Sequence, residues 1–298
     1  MSTAVRHTRT PVLDIAYEEH GAADGGPVLL MHGWPYDPRC YDAVVPLLVA
    51  KGCRVIVPYL RGFGATRFLS PGTPRSGQQA ALGNDLRELM DALSIPRAVL
   101  AGYDWGGRAA CIVAALWPER VQGLVTANGY NIQNIPAANL PASPEQERAF
   151  WYQYYFHTER ARAGLEMNRR GFCRLLWELW SPHWQFDDAT FARSAVSFDN
   201  PDFVAVTIQS YRHRYGNAPG DPALEPLETQ LAAQPKIGVP TIIPQGEVDG
   251  VQASAAFEHL DVNFSGPRQR RSLPNVGHNV PQEAPEAFAE SVLALAQG

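Results

Sequence analysis

Short apolar runs, often β-branched, alternate along the chain with longer stretches of helical periodicity. The segments Val28–His32, Arg54–Tyr59, Ala98–Tyr103, Leu124–Asn128 and Thr241–Gln245 predict strands. Within them, Val28–Leu30 and Val55–Val57 are continuously apolar, as in strands buried on both faces. Helices are predicted over Gln78–Leu93, Gly106–Leu116 and Pro285–Ala296, the last with its Pro in the first turn, where the missing N–H is tolerated. The alternation predicts an α/β fold: a mostly parallel sheet with helices on both faces.

The pattern changes near Gly129. From Tyr130 to about Asn217 the chain is rich in aromatics and Arg, reads as helical and has no run resembling a buried strand. Strand character resumes at Ile242. The economical reading is one α/β core, residues 1–130 and 218–298, interrupted by a helical cap over 131–217. The cap is expected to act as a lid. Its polar, Pro-containing boundaries fall at Asn131–Pro144 and Ala218–Pro226.

Composition narrows the function classes. The 298 residues can build one large core, and 45% hydrophobic with 18% charged residues is ordinary for a soluble domain. A net charge of −5 with no basic block argues against nucleic acid. No apolar run approaches a membrane span, and Met1–Pro11 lacks the apolar segment of a signal peptide. Cys40, Cys53, Cys111 and Cys173 are scattered without metal-like spacing, so free thiols in a reducing cytoplasm are expected. No cofactor, metal or oligomeric state is implied.

The candidate chemistry begins at Gly102-Tyr103-Asp104-Trp105-Gly106, a strand, a tight turn and a helix start. Small residues two before and two after Asp104 suit a sharp bend whose neighbours allow no side chain. The following helix points amides at Asp104 and favours its ionised form. A bare helix cap would use the same residues, but the flanking strand and helix favour a nucleophile. A carboxylate attacks saturated carbon and gives an alkyl ester. His32-Gly33-Trp34-Pro35 follows a strand, and an amide there can join the Trp105 amide around an oxyanion. Asp249 closes the strand loop Gly246–Asp249, with Glu247 the poorer alternative, and His278 precedes the last helix. Nucleophile, acid and histidine thus occur in the order Asp104, Asp249, His278.

These motifs resemble those of the α/β-hydrolase superfamily and, within it, the epoxide hydrolases, across nearly the whole chain. The nucleophile segment and His32-Gly33-Trp34-Pro35 match that family's elbow and HGxP motifs, and Arg61-Gly62-Phe63-Gly64 is similar to a structural turn of the superfamily. Phe150–Phe156 and Ser210-Tyr211-Arg212 resemble the two segments that supply lid tyrosines. The resemblance therefore implies Tyr152 and Tyr211 as proton donors to an epoxide oxygen, with Tyr155 and Tyr215 as alternatives. It implies an epoxide hydrolase acting on a small hydrophobic electrophile and water, through a pocket walled by Trp34, Trp105 and Trp151.

Two departures matter. Tyr59 stands where many relatives carry an acid, which could reshape the pocket wall. Arg108, one turn after Asp104, is shared with haloacetate dehalogenases, but Trp105 and Gln153-Tyr154 replace that family's Arg and His-Trp and count against a carboxylate-bearing halide. A dehalogenase using the same nucleophile is the alternative enzyme. A ligand sensor without turnover is the alternative outside catalysis.

Overall fold

The computed structural model describes residues 4–251 and 254–297. Its sheet has nine strands among the described residues: β1 (Arg6–Arg9), β2 (Leu13–His20), β3 (Gly26–Met31), β4 (Cys53–Pro58), β5 (Arg67–Phe68), β6 (Ala98–Gly102), β7 (Val121–Thr126), β8 (Thr241–Gly246) and β9 (Arg268–Leu273). They lie in the order β1-β2-β4-β3-β6-β7-β8-β9, with the short β5 pairing β2. From β4 to β9 along that order the pairing is parallel, whereas β1, β2 and β5 are antiparallel. This is the α/β-hydrolase architecture, a mostly parallel sheet covered by helices.

The order places the chemistry. After β3 the chain runs to β4 on one side, then crosses β3 to β6 on the other. Between the carboxyl ends of β3 and β6 a crevice opens at this switch in direction. The loop His32–Pro35 leaves β3 and the Asp104 turn leaves β6, so the two motifs become neighbours. Val28, Leu29 and Leu30 are inaccessible, and all five residues of β6 are buried. That rigid core holds both turns.

The five strands expected from sequence occur within a few residues of their expected bounds. Pro285–Ala296 is helical over the expected residues, and the other two helices are Gln79–Ala92 and Asp104–Leu116. Between β7 and β8 lie helices, including Glu159–Trp180 and Phe203–Arg214, and no strand among the described residues. Arg61, in its glycine-bearing turn, makes a buried bidentate pair with Asp85, each contact 2.6 Å, which is a structural role. All four cysteines are buried and unpaired. Among the described residues no helix is long and apolar enough to cross a membrane.

Candidate active site

Asp104 has φ +49°, a left-handed conformation that a non-glycine residue adopts at a cost of about 1–3 kcal/mol. Its surroundings impose it. A Cβ on Gly106 would lie 2.0 Å from the Met31 carbonyl oxygen, and one on Gly102 would lie 2.7 Å from the Gly106 backbone. Only glycine at both positions lets helix Asp104–Leu116 start this close to β3 and β6. The bend turns the Asp104 carboxylate toward the loop after β3, where the Trp34 amide donates to Oδ1 at 2.7 Å.

His278 comes from the far end of the chain. Its Nε2 lies 3.8 Å from Asp104 Oδ2 and its Nδ1 2.9 Å from Asp249 Oδ2. The first distance is too long for a direct hydrogen bond and leaves Nε2 unpartnered among the described residues. Asp249 is buried and also accepts from Asn128 Nδ2 at 2.6 Å and from the Val251 amide at 2.7 Å. Glu247 is exposed and pairs with Ser272. Of the two acids, Asp249 is the one brought to the histidine.

Charge shapes this trio. Burial alone would lower the His278 pKa, but the negative charges of Asp249 and Asp104 outweigh it and raise the value to about 10. Burial opposes ionisation of Asp104, yet the facing His278, then Arg108 and the Trp34 amide, hold its carboxyl below the usual range. An ionised carboxylate facing an imidazolium follows. His32 is the opposite case: burial lowers it to about 4, and the neutral ring joins Gly33 to the Leu60 amide as a loop brace.

A cavity of about 30 Å³ adjoins the trio, lined by Asp104, His278, Tyr152, Gln153, Arg108 and Arg214 among others. Tyr152 and Tyr211 are buried, with ring centroids 5.4 Å apart at 85°. Burial raises both phenols above their ordinary pKa, and the Asp104 charge adds to it, so both keep their protons. Gln153 Nε2 donates to the Tyr152 oxygen at 3.0 Å, leaving the phenol hydrogen to be donated elsewhere. The Trp34 ring stacks on Tyr152 (5.9 Å, 13°) and lies 6.3 Å from Trp105.

Several expectations need correction. Tyr155 does not reach the cavity: its hydroxyl lies 3.5 Å from the Arg160 carbonyl and its ring stacks on Phe172. Tyr215 donates to Gln153 Oε1, one residue removed from the cavity wall. Pro35 lies behind the loop, its carbonyl accepting from the Trp177 indole. Tyr59 bonds Glu18 and lines no cavity with Asp104. The aromatic pocket wall is wrong in part. Trp34 and Trp105 are fully buried, Trp151 packs on Phe172 at the surface, and the inner cavity is polar and cationic. An outer pocket of about 510 Å³ keeps apolar walls from Tyr130, Ile132, Phe150 and Tyr154.

Other residues had no sequence signal. Asn128 braces Asp249. Ser181 Oγ accepts from the His278 amide at 3.1 Å, and Glu283 accepts from the Ser181 hydroxyl and the Gly277 and Asn279 amides. Asn131 donates to the Asp104 carbonyl at 2.7 Å. Among the described residues no group of three His, Cys, Asp or Glu side chains is placed to hold a metal.

A match to the family model of the α/β-hydrolase fold runs over residues 26–285. The chain belongs to the α/β-hydrolase fold family. This hydrolase is similar to a Klebsiella pneumoniae protein of known structure, itself assigned only provisionally as an epoxide hydrolase. The two share 48% identity and a TM-score of 0.95 over 99% of this chain and 97% of that one. An epoxide hydrolase of Caballeronia sordidicola is 26% identical over 301 residues, covering 92% of this chain and 88% of its own. A haloalkane dehalogenase of Mycobacterium marinum is 34% identical over 128 residues, 42% of each chain. Against that relative and several other curated ones, the match spans about two fifths of their length.

Proposed function

We propose that this hydrolase opens an epoxide to a vicinal diol through an ester on Asp104. The observation that supports it best is the ionised Asp104 and the buried, protonated phenol of Tyr152 on one small cavity, with the Tyr211 ring packed against Tyr152 at 5.4 Å. An Asp104 oxygen attacks an epoxide carbon, the carbon–oxygen bond breaks, and a lid phenol gives its proton to the departing alkoxide. The ester is neutral, so one of the two charges that raise His278 is gone while that of Asp249 remains. His278 then sheds its proton, which restores the phenol, and becomes a general base. It deprotonates a water that attacks the ester carbonyl. The Trp34 amide, already on Asp104 Oδ1, and the Trp105 amide receive the oxyanion. Collapse releases the diol alkoxide, which takes the proton from His278, and the Asp104 carboxyl then gives its own proton to His278, restoring the carboxylate and imidazolium. Asp249 holds the imidazole ring throughout.

In this reading residues 131–217 are a cap whose helices carry the two tyrosines over the core. One observation favours a dehalogenase instead: Trp105 Nε1 is buried without a partner among the described residues, a donor that could cradle a halide. The matching donor from Trp34 is already committed to Thr207 at 2.8 Å. Incubation with a panel of epoxides and a panel of haloalkanes and haloacids, with diol and free halide both measured, decides between them. Diol without halide is expected; halide without diol overturns the proposal, and binding without turnover of either panel would make the protein a sensor.

A further inference from the structure

Two guanidinium groups stand beside the inner cavity, and neither forms an ion pair with an acid among the described residues. Arg108 is only 4% exposed and reaches the carbonyl and side-chain oxygens of Asn131, both at 3.3 Å. Arg214 ends helix Phe203–Arg214 and lies over the Tyr211 ring at 5.3 Å. Its Nη1 donates to Gln153 Oε1 at 2.6 Å, and the Gln133 amide oxygen turns to its Nε and Nη2. Both arginines line the inner cavity and the outer pocket alike. Neutral amides hold both cations in place.

That arrangement is costly without a ligand. Elsewhere in the core a buried arginine has its acid, as Arg61 has Asp85. For Arg108, which is buried, a charge without such a partner is strongly unfavourable, and Arg214 is half-buried beside it. Burial, and then the positive charge of Arg214, push Arg108 down to about 10. Asp104 offsets part of this, but its carboxylate is committed to the Trp34 amide and loses its charge when an ester forms. Asp104 and Asp249 against His278, Arg108 and Arg214 leave the site short of one negative charge, both in the free enzyme and in the ester state.

We propose that Arg108 and Arg214 form an anion-recognising pair, and that the substrate is an epoxide bearing a carboxylate close to its ring. The substrate class rests on the epoxide reading above. Planar guanidinium forks match a planar carboxylate in bidentate fashion, and a single negative charge opposes attack by Asp104 less than a phosphate dianion would. The carboxylate must be near the ring, because both arginines line the same small cavity as Asp104, Tyr152 and His278. The rest of the molecule extends into the outer pocket between Ile132, Phe150 and Tyr154. Trp105 and Gln153-Tyr154 count against a carboxylate in the sequence, but a second cation, Arg214, arrives from a different helix.

The test compares oxirane-2-carboxylate with its uncharged analogue oxirane-2-carboxamide. The wild-type enzyme is expected to favour the carboxylate in kcat/KM by about tenfold or more per guanidinium. R214Q and R108Q should each cut that ratio by about tenfold, and R214K should keep part of the Arg214 share. The ratio is the readout because Arg214 also braces Gln153, so absolute rates fall for other reasons. Equal turnover of acid and amide by the wild type, or an unchanged ratio in R214Q, overturns the proposal. Calorimetry with the diols glycerate and glyceramide separates this site from the chemistry. Arg214-dependent preference for glycerate, with neither epoxide opened, keeps the anion pair and removes the epoxide reading. Turnover of styrene oxide with no preference for glycerate does the reverse.

Discussion

His278 stands between two carboxylates, 2.9 Å from Asp249 through Nδ1 and 3.8 Å from Asp104 through Nε2. The short contact fixes the ring. The long one leaves room for a water once Asp104 has become an ester. The same pair of negative charges raises the imidazole to about 10 in the free enzyme. Ester formation removes the Asp104 share of that charge and so favours the neutral imidazole, the form needed as base, once the nucleophile has reacted.

That coupling can be titrated. In Asp104→Asn one of the two raising charges is removed, so the His278 pKa must fall, by about one unit or more. NMR of the imidazole resonances reads it directly, and an unchanged pKa contradicts the coupling. Stability follows the same sign. The imidazolium is favoured in the folded state, with a pKa about 10 against 6.5. Its stabilising contribution is complete below about pH 6.5 and is lost as pH rises toward 10. Unfolding free energies of the wild type should decline across that window, and those of Asp104→Asn should decline less.

The lid phenols should act on ring opening and not on ester hydrolysis. Tyr152→Phe or Tyr211→Phe is expected to slow formation of the Asp104 ester by about 10²-fold, and the double variant by up to about 10⁴-fold. Rapid-quench single turnovers separate the two steps. A double variant that opens epoxide at the wild-type rate removes the phenols from the mechanism.

Much of this arrangement is legible in the sequence because its signals are local. The glycines around Asp104 announce a bend, and the apolar runs of β3, β4, β6 and β8 announce buried strands. Other elements are hidden by position in the sheet. The edge strands β1 (RHTR) and β9 (RQRRSL) have no fully buried residue, and no apolar run marks them. By contrast β2 places Leu13, Ile15 and Tyr17 at every second position, all buried, although Ala16 and Glu18 between them are buried too. The cap is the least legible part. Its aromatics all look equivalent along the chain, and only packing turns Tyr152 inward while Tyr155 stacks on Phe172. Asn128, Glu283 and Arg214 act through partners distant in sequence, which no local pattern encodes.

The Arg61–Asp85 pair predicts a stability effect remote from the chemistry. Asp85→Ala leaves a guanidinium that is 3% exposed without its acid and should cost about 3–5 kcal/mol in urea unfolding. A loss below about 1 kcal/mol would mean the pair is not a structural clamp of the turn.

The most direct test of the covalent route uses His278→Gln, which keeps Asp104 and both phenols but lacks the base. Mixed with an epoxide that the wild type turns over, the variant should gain the mass of one substrate, mapped by peptide sequencing to Asp104, with little diol released. An unmodified protein mass together with lost activity, or an adduct on another residue, contradicts the mechanism.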